Sequence, residues 1–493
     1  MKLSAHSATA GLSVLLLVAA LPAQTTETAA ATASVSKVRI VRLSEVKGAV
    51  QLDRSTGRGL EPAITNLPIV EQNRLQTGTG VAEVEFEDNS TLRLGPDSEV
   101  EFAELSRLGT GGTVSSVNLV KGLAYVTLVK SRGNDFHVMF GSHTVSVPAG
   151  THIRLQVNSN DARLAVLDGA LTVDGPQGPL EVAKKKTVTF LMSEGIDPTV
   201  AKNIAESPFD SWDKQATEYH ARMAAFGAFG NSPYAYGTSD MAYYGAFSDV
   251  GGCGSMWRPY FTSASWDPYG AGAWAYYQGA GYSWVSPYPW GWTPFHYGSW
   301  SYCNGAGWGW QPGGSWAGLN NGTLIAFRPK VGSGTGNPVN PVAPPHPPGL
   351  GQPTMVPVLS RPVVRSEMSS RDSFVFRNDS AGLGIPRGDL GALNKFSEHA
   401  VQRGTAHTSV YATVGTAAPS NGGMHASSGS SALAPVSIHR GSPPPAESSS
   451  STFSSSSGSN GANSSSASSM SQSSSASSPH ASPSPSPSPG RPR

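Results

Sequence analysis

The chain has 493 residues, of which 14% are charged, and its formal net charge is +1. Near-neutrality excludes the strongly basic surface that nucleic-acid binding needs, and the length leaves room for about three domains. With 56 glycines and 38 prolines, part of the chain is expected to lack a packed core.

Lys2, the apolar run Leu12 to Leu21, and small residues at Ala20 and Ala23 form the pattern of a secretory signal peptide over residues 1–24. No segment approaches the ~20 apolar residues that a membrane-spanning helix requires. The expectation is therefore an exported protein, periplasmic or secreted, without a transmembrane anchor and without a nucleic-acid partner.

Strand signals run through residues 37–192. VAEVEFED, from Val81 to Asp88, alternates so that Val84 and Phe86 are set against Glu83, Glu85 and Glu87, which are read as one solvent-facing row. TLRLGP, VEFAEL, VNLVKGLAYVTLV, DFHVMF, HTVSVPAG, THIRLQV and ARLAVLDGALTVDG follow, separated by turn pairs such as Gly111-Gly112 and Asp174-Gly175. A dozen or so short strands with close turns predict an all-β domain, either a sandwich or a short solenoid. His137, His143 and His152 share no metal-ligand spacing, so neither a metal nor a cofactor is expected.

This succession of motifs resembles the FecR domain. The matching positions are Thr77, Gly122 before a strand, Gly150-Thr151 and Asp168-Gly169, within a span from about Val38 to Phe190. The resemblance implies an extracytoplasmic β domain that docks another envelope protein in a signalling relay. In the family's best-known members a cytoplasmic helical anti-sigma segment and a membrane span precede that domain.

Residues 207–227 predict an amphipathic connecting helix. Phe209, Trp212, Ala216, Tyr219, Met223 and Phe226 form its apolar stripe, Ser207 its cap and Gly227 its stop.

Residues 244–316 repeat three times. Phe247, Trp274 and Trp300 align, as do Gly252, Gly279 and Gly305, then Trp257, Trp284 and Trp310. Each copy reads as aromatic strand, glycine turn, aromatic strand, and together the copies predict a compact three-hairpin β module. Glycines beside the tryptophans allow large rings to lie over bare backbone. Cys253 follows the first turn and Cys303 precedes the third. In an exported protein they are expected either to be bridged, with the array curled so that repeat one neighbours repeat three, or to stay as two buried thiols. WRPYF, WDPYGAGAW and GWGWQPGG resemble a Trp/Gly-rich domain of unknown function that commonly follows FecR-type domains. Tyr288, Trp290 and Trp292 lie outside the repeat, between copies two and three. They are expected to be exposed stacking platforms, with His296 as a ligand contact.

Residues 330–493 are rich in proline and then serine, and are expected to form a disordered tail interrupted by one short helix over 389–402. The fold class is therefore all-β, with one connecting helix and a low-complexity tail. No catalytic constellation is visible, so the expected role is non-enzymatic: a binding or scaffolding module for a protein or polysaccharide of the cell envelope. The alternative is a FecR-like signalling component.

Overall fold

In the computed structural model the longest strand, Thr113–Thr127, is the spine of the first module. As far as Lys121 it pairs with Glu99–Arg107 and, in parallel, with Asn134–Phe140. From Gly122 onward it pairs with Thr91–Leu94 and His152–Val157. The switch falls where Gly122 takes φ +94°, and where a Cβ would stand 2.5 Å from Ser98 Cα. Only glycine satisfies both conditions. The structure describes residues 38–131, 133–175, 177–193, 196, 198–224, 232–319, 330–331, 347–349, 351–359, 367–368, 374–376, 379–383, 385, 387 and 400–402. The expected signal peptide lies outside them.

Seventeen strands lie between Val41 and Ala201, and no helix interrupts them among the described residues. All their ladders but one are antiparallel, which is the pattern of a folded-over sandwich rather than of stacked solenoid coils. Residues from both sheet segments, Leu43, Val84 and Leu155 with Leu52, Phe102 and Val117, enter one core. The strands continue past residue 192 to Thr199–Ala201, which pairs with Thr187–Leu191 and forms an edge of the sheet.

Helix α1, Asp210–Ala224, falls within the expected span, and residues 225–227 lie outside the described ones. Tyr219, His220 and Met223 are buried, while Trp212 stays half-buried. Helix α2, Thr238–Tyr244, follows and leads into the repeats.

All three expected hairpins form, and their registers coincide. Phe247 faces Trp257, Trp274 faces Trp284, and Trp300 faces Trp310. Each hairpin opens on a glycine over which the partner strand's indole lies. A Cβ at Gly272 would come 2.1 Å from the Trp284 ring, and one at Gly245 would come 2.3 Å from the Trp257 ring. The first and third hairpins join in one sheet through Trp257 and Trp310. The second belongs to a separate three-stranded sheet. Cys253 and Cys303 are bridged, with Cα atoms 6.2 Å apart, so the array curls as expected.

The tail differs from the expectation in places. Met355–Leu359 pairs antiparallel with Ala271–Tyr277 and completes the second hairpin's sheet. That edge would otherwise present unpaired backbone, and a V-P-V-rich stretch can fill it because proline is tolerated on an outer strand. Lys330–Val331 pairs in parallel with Ser299–Cys303. Most of the expected helix 389–402 lies outside the described residues. Its last three, Ala400–Gln402, form a strand beside Phe374–Phe376.

Candidate functional site

The four residues expected to form a ligand platform are buried. Tyr288 is 5% exposed, Trp290 and Trp292 are at 0%, and His296 is at 2%. The insertion that carries them folds inward through helix α3, Thr293–His296, and packs against the sheet of the first and third hairpins. Trp290 stacks on Tyr288 at 4.9 Å and meets Trp257 and Trp300 edge-on or tilted. Its indole N–H donates to Ala381 O at 2.7 Å. His296 lies between Trp292, at 4.1 Å, and Trp316, and its Nδ1 is 2.8 Å from Trp292 O, so that nitrogen carries the proton. Burial pushes the imidazole down to about 4, more than the Trp292 carbonyl can offset. Ten of the eleven tryptophans are buried, all but Trp212. Two small sheets cannot enclose a core without the insertion, and this is why rings outside the repeat are recruited into it.

The row of glutamates is also buried. Glu83 and Glu85 are 0% exposed and Glu87 is 8% exposed. Alternation placed them opposite the sandwich core, as expected, but α1, α2 and a segment of the tail cover that second face. Cross-strand neighbours there carry opposite charge: Arg42 faces Glu85 and Arg93 faces Glu83. Arg93 reaches Glu83 at 2.7 Å and Asp213 of α1 at 2.8 Å. Arg42 reaches Glu85 at 2.8 Å and Asp240 of α2 at 2.7 Å. His220 contacts Glu83 at 2.9 Å, and Arg387, from the tail, is ion-paired with Glu83 and Asp240. Tyr219 donates to Asp240 at 2.7 Å.

Burial by itself would raise the Glu83 carboxyl, but Arg387, His220 and Arg93 together hold it well below the usual carboxylate range. Asp240 is treated alike: burial raises it, and Arg387 and Arg42 more than compensate, so it stays ionised. Three guanidiniums therefore face four carboxylates in a site closed to solvent. Such a cluster is costly to desolvate, and it fixes which surfaces meet, because any other docking strands a buried charge.

Hydrogen bonds extend the junction. Asn66 Nδ2 donates to Ser286 O at 3.0 Å and Tyr288 O at 2.7 Å, and Arg42 donates to Pro289 O. Tyr277 OH donates to Pro68 O at 2.6 Å, and the Arg54 guanidinium lies over the Tyr277 ring. The sandwich thus holds the backbone of the aromatic insertion, and the two modules share one polar interface. Sequence reasoning missed this junction. Arg42, Glu83, Glu85 and Arg93 alternate with core residues on their strands, but α2 and Arg387 lie far away in sequence. The structure brings Cys253 and Cys303 together as expected, and it also brings Tyr288 onto Trp290 and Trp292 onto His296, but inside the core rather than on a surface.

Comparison with protein families gives two matches. Residues 73–172 match the family described as FecR protein. Residues 238–331 match a family of unknown function, DUF6600. Two crystal structures of an anti-sigma factor candidate from Parabacteroides distasonis are similar at 15% and 14% identity, each with a TM-score of 0.23. Each alignment covers 27% of this chain and 60% of that one. Comparison with curated proteins gives no match.

Proposed function

We propose that this chain is a non-enzymatic, exported FecR-type protein that docks another protein of the cell envelope, its FecR module and aromatic module acting as one rigid body. The FecR match over residues 73–172 supports a signalling or regulatory setting. The observation that carries the rigid-body reading is the closed ion network of Arg42, Glu83, Glu85, Arg93, Asp240 and Arg387. It ties both modules together and leaves its charged groups no access to substrate. A polysaccharide platform is the weaker reading, because the rings best placed to form it are consumed by the core.

Docking would use the outer surface, where Leu191, Ile196 and Val200 are exposed within the terminal hairpin and Phe247 is 41% exposed on the first repeat. The sheet edge at Thr199–Ala201 is exposed and is suited to adding a strand from a partner. A photo-crosslinking residue placed at Val200, Phe247 or Leu108, the last of which is 49% exposed, in the full chain in producing cells tests this. The expected result is a discrete adduct with one envelope protein from at least one position. Retention on insoluble polysaccharide with no protein adduct from any position would overturn it.

A further inference from the structure

The tail segment Asp379–Arg387 is held as a bound peptide would be. Asp379 accepts from Ser263 N at 2.9 Å, and Ala381 N donates to Phe261 O at 3.3 Å. Ala381 O accepts from Trp290 Nε1 at 2.7 Å, and Ile385 O accepts from Tyr244 OH. Ser380, Ala381, Leu383 and Ile385 are all buried, yet none of them lies in a strand or helix. Gly382 has φ +83°, and a Cβ there would come 2.5 Å from the Tyr244 ring, so the backbone lies flat against that tyrosine. At the segment's end Arg387 enters a pocket walled by Glu83, Asp240 at 3.4 Å and Glu45 at 3.9 Å, with its guanidinium 5.4 Å from the Tyr219 ring centroid. Glu83 and Glu45 belong to the sandwich, Tyr219 to α1 and Asp240 to α2, so the groove is built from both the sandwich and the helices that follow it.

We propose that this groove is a peptide-binding site for a short, small-residue segment ending in arginine, and that the chain's own Asp379–Arg387 occupies it as an exchangeable intramolecular ligand. Two features separate a ligand from an ordinary core element. The segment's backbone is held by the side chains of Trp290 and Tyr244 and by one backbone carbonyl, that of Phe261, rather than by a sheet ladder. Its specificity determinant is one guanidinium, whose planar fork and aromatic neighbour a lysine ammonium does not reproduce. The recognised class is therefore an arginine-bearing peptide, supplied here in cis. The proposal does not depend on which envelope component the protein docks.

The test uses the full chain with specific protease sites placed in residues 360–366 and 388–399 and cut after folding, together with a fluorescent synthetic peptide of residues 377–389. The labelled peptide should replace the endogenous one while the body keeps its near-ultraviolet circular dichroism. The same peptide carrying Arg387→Lys or Arg387→Ala should compete at least tenfold more weakly. A second arm uses the uncut full chain with Gly382→Val, whose side chain strikes Tyr244 and displaces the segment. It should bind the labelled peptide where the wild-type chain does not. No exchange into a folded, cut body would overturn the proposal. So would unfolding of the body on exchange, or equal competition by the wild-type and Arg387→Ala peptides.

Discussion

Replacing Glu83 by glutamine removes one charge from the centre of the buried network and changes almost nothing in shape. Glu83 is 0% exposed and contacts Arg93, His220, Ser44 and Arg387. Removing one partner of a buried ion pair costs about 3–5 kcal/mol. Arg93 keeps Asp213 and Arg387 keeps Asp240, so the lower end applies, about 3 kcal/mol. For a folded body of this size that corresponds to a fall in Tm of roughly 6 °C. Differential scanning calorimetry at pH 7 measures it, with the exposed Glu181→Gln as a control expected within about 0.5 kcal/mol of the parent. A Glu83→Gln midpoint within 2 °C of the wild type would mean that the cluster is hydrated and weakly coupled. The argument for a rigid junction would then fail.

Three further outcomes are expected. His296 titrates at about 4 in the fold against about 6.5 unfolded, so between those values the unfolded chain binds the extra proton and stability falls as pH falls. Urea titrations at pH 7 and pH 5 should differ by about 2 kcal/mol in the wild type and by less in His296→Gln; equal differences would refute the assignment. Closing the loop of 50 residues between Cys253 and Cys303 contributes about 4 kcal/mol, so Cys303→Ser should lower stability by up to that amount, and the denatured, unreduced wild type should show no reactive thiol. Ten tryptophans are buried and Trp212 is half-buried. Iodide should therefore quench only a small fraction of the fluorescence, and Trp212→Phe should abolish that fraction; broad quenching in Trp212→Phe would show the aromatic module to be open.

Local physics made much of the fold legible. A period-2 alternation marked the strands of the first module because one face of each had to meet a core. The repeat of Gly272 and Trp284, matched by Gly245 and Trp257, marked the hairpins because an indole can lie over backbone only where no Cβ intervenes. The two cysteines, on opposite sides of the turns in repeats one and three, made a closed array one of two expectations, since only repeats that neighbour each other can be bridged. In each case the residues that cause the feature lie within one hairpin or follow one repeat.

What the sequence alone could not decide is which second faces are covered. Glu83 and Glu85 have the spacing of a solvated row, and Tyr288, Trp290 and Trp292 have the composition of an exposed platform. Both sets are buried because distant segments close over them: α2 and Arg387 over the carboxylates, and the first and third hairpins, Asn66 of the sandwich and Ala381 of the tail around the insertion. Burying a charge is governed by where its counter-charge ends up in space, and Arg387 lies 304 residues from Glu83 along the chain. Periodicity reports the face on which a side chain lies, but only the tertiary structure decides what that face meets.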